Sequence, residues 1–255
     1  GFMVEAIAHA VMLHRYPAAR FEETFTHGRY SARVDGWESD GKTATLTEIK
    51  AKSVESGDPA QFFGANGEVL GNWRDYLLDI TFQVMVARAA NPGLRITPKL
   101  CIVNKNKPSN VEAIYAKIDL LDDDSDRSKP RAVFTGDAKA LAADHFLEFI
   151  DCTEVVELLM PEVITSAATL LDFMDGKRAD ITPSLTPNPC KKCEFRGAHL
   201  SPNGFAECWG ETPPIGAHVI DLPHGTRGKE LGVVVASMLD RREFSLANIP
   251  DSVLD

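Results

Sequence analysis

The dipeptide Asp40-Gly41 constrains the fold most strongly, because it joins two stretches that have the pattern of β-strands. Asp-Gly between such stretches is a strong signal for a tight hairpin turn. We predict a strand from about Phe25 to Trp37 before the turn, and a second, antiparallel strand over 44–50 after it. Residues near the ends of these two strands are therefore expected to lie side by side.

Two carboxylates and a lysine lie on this predicted hairpin. Asp35 is near the end of the first strand, and Glu48 and Lys50 are two residues apart on the second, so that both face the same way. Converging carboxylates are suitable ligands for a hard cation such as Mg²⁺. A neighbouring lysine can orient or help deprotonate a water molecule, or neutralise a phosphate. The pattern predicts a hydrolytic metal site, although a solvated strand face also explains an acidic residue two positions before a basic one.

The rest of the chain predicts helices around this hairpin. Four stretches have apolar residues at helical spacing, namely 2–14, 72–90, 138–150 and 154–176. Residues 94–104 have the composition of a buried strand, 53–71 of a mobile glycine-rich loop, and 119–126 of an acidic, solvated loop. This order of elements predicts an α/β fold with a mixed central sheet flanked by helices.

Length and charge limit the class of protein. The 255 residues suffice for one full core, or for a main domain with a small appendage. No apolar run approaches the roughly 20 residues of a membrane span, and the first residues do not resemble a signal peptide, so we predict a cytoplasmic protein. The net charge of −10 is unusual for a nucleic-acid binder, but a nuclease needs only a local basic groove. Neither end carries a terminal signal, and we expect the chain to be part of a longer protein.

Three of the five cysteines lie close together late in the chain. They are Cys190, Cys193 and Cys208. A CxxC motif followed by a third cysteine is typical of metal or iron–sulfur ligation, and His199 would complete a zinc site. Free thiols are the third alternative, but they leave the Pro-, Gly- and Cys-rich stretch 178–215 without a staple, that is, a stabilising cross-link such as a bound metal. Cys101 and Cys152 lie in or beside apolar elements and are predicted to be buried small hydrophobic residues.

The hairpin with Asp35, Glu48 and Lys50 between two helices resembles the core of the PD-(D/E)XK nucleases, most closely their RecB-like branch. That branch includes the CRISPR-adaptation exonucleases and the AddB-type nuclease domains. The resemblance implies that these three residues are catalytic and that the two carboxylates bind Mg²⁺ or Mn²⁺. It covers most of the chain, but only the D…ExK pattern and the three late cysteines are specific.

Two further motifs extend the resemblance. In the family a Gly-x-x-x-His/Glu helix precedes the site, and Gly1-Phe-Met-Val-Glu5 has this spacing. Glu5 is thereby implied as a further metal ligand, with His9, one turn later, as the alternative. The family also has a glutamine on the helix after the lysine strand, often as QxxxY. Gln83 fits this position and is assigned a catalytic role, whereas Ala87 replaces the tyrosine that contacts DNA; an ordinary polar helix surface is the alternative for all three polar side chains.

Iron–sulfur nucleases of the RecB-like branch hold a [4Fe–4S] cluster with three late cysteines and a fourth upstream of the first helix. The resemblance therefore implies a cluster on the three late cysteines, with its fourth ligand before Gly1. It also implies a nuclease core over 1–177, a cysteine-rich metal or cluster loop over 178–215, and an extension or linker over 216–255.

These observations predict a divalent-metal-dependent nuclease that hydrolyses phosphodiester bonds, with DNA as the expected substrate, in repair or defence. Three basic residues are expected to hold the strand: Lys52, Lys105 and Lys107. One alternative is a catalytically inactive nucleic-acid-binding or assembly module that retains the nuclease fold. Another is a metal- or redox-responsive interaction protein centred on the cysteines.

Overall fold

The structure is a computed structural model that describes residues 2–121, 131–177, 185, 190–191, 193, 195, 204–210, 218–222 and 229–253. The chain divides into two compact units, Gly1–Asp172 and Phe173–Asp255. Within the described ranges, no helix has both the length and the apolar composition needed to cross a bilayer.

Four α-helices and seven strands are described up to Met174. In order they are α1 (Phe2–Arg15), β1 (Arg20–His27), β2 (Tyr30–Ser39), β3 (Thr43–Val54), α2 (Gly71–Ala90), β4 (Arg95–Asn104), β5 (Ile118–Leu121), β6 (Arg131–Phe134), α3 (Ala138–Asp144), β7 (Leu147–Asp151) and α4 (Thr153–Met174). The helices predicted over 2–14, 72–90 and 154–176 and the strand predicted over 94–104 are confirmed within a few residues.

Five strands form the central sheet in the order β1-β2-β3-β4-β7. Neighbours are antiparallel except β3 and β4, which are parallel and are joined through α2. Leu100 and Cys101 of β4 point to opposite faces of the sheet. Leu100 packs with α2 and α4, and Cys101 with α1 and α3. The predicted α/β fold, a mixed sheet between helices, is therefore confirmed.

The predicted hairpin turn between β2 and β3 is also confirmed. Gly41 has a φ of +88°, a value that favours glycine. Asp40 Oδ1 accepts hydrogen bonds from the backbone N–H groups of Lys42 at 2.8 Å and Thr43 at 2.7 Å. The side chain of Asp40 thus closes the turn that sets β3 beside β2.

Three predicted elements are wrong in part. The stretch from Phe25 to Trp37 is two strands, because a turn at Gly28, with φ +59°, separates β1 from β2. The helix predicted over 138–150 ends at His145, whose left-handed φ of +52° stops the helix, and the chain continues as β7. Residues 119–121 of the predicted acidic loop belong to β5, which pairs with β6, and the rest of that loop lies outside the described residues.

The predicted glycine-rich loop over 53–71 is shorter than expected and contains an anchor. β3 continues to Val54, and a 3₁₀ helix follows at Pro59–Phe62, capped by the side chain of Asp58. Phe62 is fully buried, and its ring meets that of Trp73 edge-on at 5.4 Å between centroids. The chain that enters α2 is therefore tied to the core next to the start of that helix.

The second unit has a hydrophobic cluster of its own. It contains α5 (Gly204–Trp209), a 3₁₀ turn at Val219–Asp221 and α6 (Lys229–Asp240). Described residues from both the predicted cysteine loop and the predicted extension share this cluster, chiefly Phe205, Trp209, Val219, Ile220, Val235, Met238 and Phe244. His199 lies outside the described residues.

Candidate active site

The site begins where the ladder between β2 and β3 stops. Backbone pairing ends at Gly36 and Thr47, so the next residues, Asp35 and Glu48, are not bridged by main-chain hydrogen bonds. Instead, Asp35 Oδ2 accepts a hydrogen bond from the backbone N–H of Ile49 at 2.7 Å. The carboxylate of Asp35 thereby replaces a main-chain partner and is held at the point where the two strands part.

Glu48 is buried on the face of β3 that turns toward α2. Leu46, two residues earlier on the same face, lies in the core, whereas Glu48 is 4% exposed and polar. Its Oε2 accepts a hydrogen bond from Gln83 Nε2 at 2.7 Å, and its Oε1 contacts Lys50 Nζ. A buried carboxylate needs such partners, because desolvation disfavours its charge.

Asp79 completes this network and was missed in the sequence. Lys50 Nζ donates to Asp79 Oδ2 at 2.8 Å, and Gln83 Nε2 lies 3.2 Å from Asp79 Oδ1. Asp79 precedes Gln83 by four residues, so the two side chains share one face of α2. The spacing of four residues was the sequence signal that could have identified Asp79. In the structure, the Asp79 carboxylate links Lys50 to Gln83.

Glu5 approaches the same site from α1. Burial raises the pKa of Glu5, and the charges of Asp35 and Glu22 raise it further, which places these carboxylates within electrostatic reach of each other. His9 Nε2 is 4.0 Å from Glu5 Oε1, and its ring stacks on that of Phe21 at 3.8 Å between centroids. The negative charge of Asp35 therefore reaches Glu5, and His9 lies beside Glu5 on the same helix.

Gly36 allows α1 to come this close to β2. A Cβ atom at Gly36 would lie 2.5 Å from Met12 Cε, a distance that real Cβ atoms do not tolerate. Met12 is itself buried, with 1% of its surface exposed. The absence of a side chain at Gly36 therefore leaves room for the end of the Met12 side chain between α1 and β2.

Glu22 is a further carboxylate that the sequence did not reveal. It lies in β1 between the pairs Phe21–Gly36 and Glu23–Val34, hence opposite Asp35, and its φ of +55° is left-handed. Such a conformation is uncommon for a residue other than glycine and is concentrated at functional sites. Burial raises the pKa of Asp35 despite the hydrogen bond from Ile49, and the negative charge of Glu22 adds to that rise.

The electrostatic environment raises the pKa values of both Glu48 and Lys50. Burial, followed by the nearby charge of Asp35, raises the pKa of Glu48 to about 7. Burial alone would lower the pKa of Lys50, but its hydrogen bonds to Asp79 and Glu48 outweigh this effect and raise it. Lys50 therefore remains protonated at neutral pH, while two adjacent carboxylates disfavour each other's ionisation.

An aromatic side chain lies near Lys50, but not at the position implied by the resemblance. Ala87 is fully buried in the core, so a tyrosine there would have to displace core side chains. Tyr76 lies instead beside two cations, with its ring centre 5.6 Å from Lys50 Nζ and 5.2 Å from Lys52 Nζ. The chain therefore lacks the tyrosine of the family motif at position 87 and has an aromatic ring at Tyr76, beside Lys50 and Lys52.

The late cysteines belong to the second unit. Cys193 N donates a hydrogen bond to Cys190 O at 3.2 Å, and Cys190 and Cys208 pack against the hydrophobic cluster of that unit. Cys101 and Cys152 are buried as predicted, and burial raises the pKa of Cys152 to about 12. Over the part of the chain that the structure describes, no three or more His, Cys, Asp or Glu side chains converge closely enough to hold a metal ion as they stand.

The structure gathers the site residues of the first unit predicted from the sequence around the end of the β2–β3 ladder. They are Glu5, Asp35, Glu48, Lys50 and Gln83, with His9 in contact with Glu5. Comparison of the chain with protein-family models, with curated proteins and with solved structures finds no match. The chemistry of the site is therefore inferred from its own residues and their geometry.

Proposed function

We propose that this protein is a cytoplasmic, divalent-metal-dependent nuclease of the PD-(D/E)XK type, similar to the RecB-like branch, that hydrolyses phosphodiester bonds in DNA. One observation carries the proposal. Asp35 and the buried Glu48 lie together where the β2–β3 ladder ends, and the ammonium group of Lys50 contacts Glu48. Carboxylates and a lysine in this arrangement suit phosphodiester hydrolysis assisted by a cation.

The carboxylates supply the negative charge and the oxygen donors that a divalent metal ion requires, but the described side chains would have to draw closer together to hold one. Each of Glu5, Asp35 and Glu48 has a pKa raised by burial and by a neighbouring negative charge. A cation shared among them would relieve this repulsion, and oxygen donors are the ligands that Mg²⁺ and Mn²⁺ prefer. When bound, such an ion lowers the pKa of a coordinated water molecule and stabilises charge on the phosphodiester.

The remaining residues have roles that follow from their contacts. Lys50 is held protonated by Asp79 and Glu48, so it would neutralise a phosphate oxygen and orient a water molecule rather than act as a base. Gln83 donates to Glu48 Oε2 and thereby fixes the direction of that carboxylate, which makes it a positioning residue. Asp79 restrains both Lys50 and Gln83.

The test is cleavage of labelled single-stranded and double-stranded DNA in the presence of Mn²⁺, with EDTA as the metal-free control. Asp35→Asn and Lys50→Ala are expected to lower the rate by about 10²- to 10⁴-fold. Matched controls are Glu38→Gln, a half-buried carboxylate of β2 whose charged neighbours are Lys99 and Arg15, and Lys99→Ala on β4. Undiminished cleavage by the Asp35 and Lys50 variants would refute the proposal.

A non-catalytic nucleic-acid-binding or assembly module is the second candidate. The net charge of −10 and the absence of a tyrosine at position 87 favour it. Binding of nucleic acid without any metal-dependent cleavage, on every substrate tested, would support this candidate over the enzyme.

We further propose that Cys190, Cys193 and Cys208 bind a metal centre, either a [4Fe–4S] cluster or zinc with His199. The support is their spacing and their common location in the second unit. The absorption spectrum and metal content of anaerobically purified protein test this proposal. Broad visible absorption with iron favours the cluster, colourless protein with stoichiometric zinc favours zinc, and neither metal leaves the three residues as free thiols and contradicts the proposal.

A further inference from the structure

A polar pocket lies where the end of β3 meets the start of α2. Its volume is about 390 Å³, within the range of roughly 300–1,000 Å³ that is usual for ligand pockets. The residues that matter most in its lining are Lys52, Glu55, Ser56, Asn72, Trp73 and Lys105. Four residues of the candidate active site lie on the same two elements, namely Glu48 and Lys50 on β3 and Asp79 and Gln83 on α2.

The pocket lies in line with the carboxylates of the site. Glu48, Lys50 and Lys52 all reach α2, because they contact Gln83, Asp79 and Asn72 respectively. Their partners on α2 follow in reverse order, since Glu48 meets Gln83 whereas Lys52 Nζ donates to Asn72 O, in the first turn of the helix, at 2.6 Å. Four strand residues span at most ~13 Å, a distance that a few nucleotides of a strand also cover. A strand that is cleaved at Glu48 and runs along β3 toward Val54 would reach this pocket.

Lys52 brings to the pocket a cation that no carboxylate of the described residues pairs with. Its Nζ lies 3.8 Å from the centre of the Trp73 ring and forms no ion pair with any side chain within the described ranges. The other lysine differs, because Lys105 Nζ is 2.8 Å from Glu55 Oε1. Trp73 is 5% exposed, so its ring is not available for stacking on a base. The pocket therefore offers charge and hydrogen bonds rather than a stacking surface.

We propose that this pocket binds an internal phosphate of the nucleic-acid strand, a few nucleotides from the bond that is cleaved, with Lys52 as the residue that neutralises it. The inference rests on the proposed nuclease function and identifies where that site holds its substrate. Lys52 supplies the positive charge, and the hydroxyl of Ser56 and the amide of Asn72 are donors suited to phosphate oxygens. Contacts of this kind read the backbone and not the bases, so binding at the pocket is independent of sequence.

The binding test uses the full chain, a fluorescein-labelled single-stranded oligonucleotide, and Ca²⁺ in place of Mn²⁺. Lys52→Gln is expected to weaken binding about tenfold and to reduce the dependence of log K on log salt by about 0.7, the contribution of one phosphate on a single strand. Lys42→Gln, an exposed lysine at the opposite end of β3, is the control and is expected to bind like the wild type. Equal binding by the Lys52 variant, or no binding by the wild type, would overturn the inference.

The cleavage test separates the pocket from the reaction. With Mn²⁺, Lys52→Gln is expected to raise KM for the oligonucleotide about tenfold with kcat nearly unchanged, and to leave cleavage of the p-nitrophenyl ester of thymidine 5′-phosphate unaffected, because that ester has no flanking nucleotide. An equal loss on both substrates would place Lys52 in the reaction and overturn the inference. If Lys52→Gln weakened binding only for oligonucleotides that carry a 5′-phosphate, the pocket would bind strand ends. That result would overturn the assignment of an internal phosphate. If the wild type cleaved neither substrate, the nuclease proposal would fail while the binding test still decided the role of the pocket.

Discussion

At the scale of single residues, the site is built from side chains whose charges are costly. Glu48 is buried among polar partners on the same face of β3 as Leu46, and Asp35 occupies the position of a missing backbone partner. The alternation of the strand predicted that Glu48 and Lys50 share a face. It did not predict that Asp79 would pair with Lys50 or that Glu22 would have a left-handed backbone. Alternation describes which face of a strand a residue is on, and it contains no information on contacts with other elements or on backbone strain.

The raised pKa of Glu48 makes stability depend on pH. Its value of about 7 in the folded chain lies above its ordinary value of 4.5, so the folded form binds more protons between these limits, and stability falls as the pH rises through this window. Glu48→Gln carries no ionisable group. We therefore expect the variant to be more stable than the wild type at pH 8, with a free energy of unfolding about 1–3 kcal/mol higher. Near pH 5 the two free energies of unfolding are expected to be nearly equal.

Urea denaturation of both proteins at the two pH values measures this difference. Glu112→Gln is the control, since this exposed side chain is expected to change stability by less than about 0.5 kcal/mol at either pH. A Glu48→Gln variant that is less stable than the wild type at pH 8 would contradict the view that the charge of Glu48 is unfavourable without a bound cation.

At the scale of elements, the geometry depends on irregularities in regular strands. β3 loses its regular register with β4 between Ile49 and Ser53, the stretch that carries Lys50 and Lys52. Such bulges redirect side chains and are frequent next to active sites. The hairpin was predictable because Asp40-Gly41 is a strong turn signal. The division of β1 from β2 and the strand β7 were not, because Gly28-Arg29 and His145 lack comparable turn chemistry and tertiary pairing decided the outcome.

The contact between α1 and β2 can be tested at Gly36. Gly36→Ala places a methyl group on Met12, so Met12 must move, and we expect a loss of about 1–3 kcal/mol in the free energy of unfolding. Because α1 carries Glu5, weaker Mn²⁺ binding is expected to accompany this loss. Gly71→Ala, at the start of α2 where nothing lies within 4 Å, is the matched control and is expected to be neutral or stabilising. Equal stability of both variants in urea would show that α1 does not depend on the glycine.

At the scale of the whole molecule, the cysteine region is part of a second unit that has its own hydrophobic cluster. Composition predicted that 178–215 needs a staple, since Pro, Gly and Cys dominate it. The described part of that region instead shares buried side chains with 218–222 and 229–253. Sequence pattern alone could not reveal this, because the apolar runs of the tail are short and become a core only when they pack together. A metal centre bound by the late cysteines would therefore add to the stability that the hydrophobic cluster already provides.

The division into two units predicts separate local stabilities. Phe244 is 5% exposed, and its ring packs on Trp209 at 4.9 Å between centroids, so Phe244→Ala is expected to destabilise the second unit by about 3–5 kcal/mol. Hydrogen exchange followed by mass spectrometry should then show lost protection in 229–253 and unchanged protection in β4. Val233→Ala, on the exposed face of α6, is the control. An equal loss of protection in both regions would contradict the division.

The decisive measurement is a titration of the whole protein with Mn²⁺, in which electron paramagnetic resonance counts the ions that remain free. The wild type is expected to bind Mn²⁺ at Asp35 and Glu48, and Asp35→Asn to bind it at least about tenfold more weakly. Glu38→Gln, which removes a half-buried carboxylate of the same strand outside the site, is expected to bind like the wild type. Equal Mn²⁺ affinity of the wild type and Asp35→Asn would contradict a metal site at the end of the β2–β3 ladder.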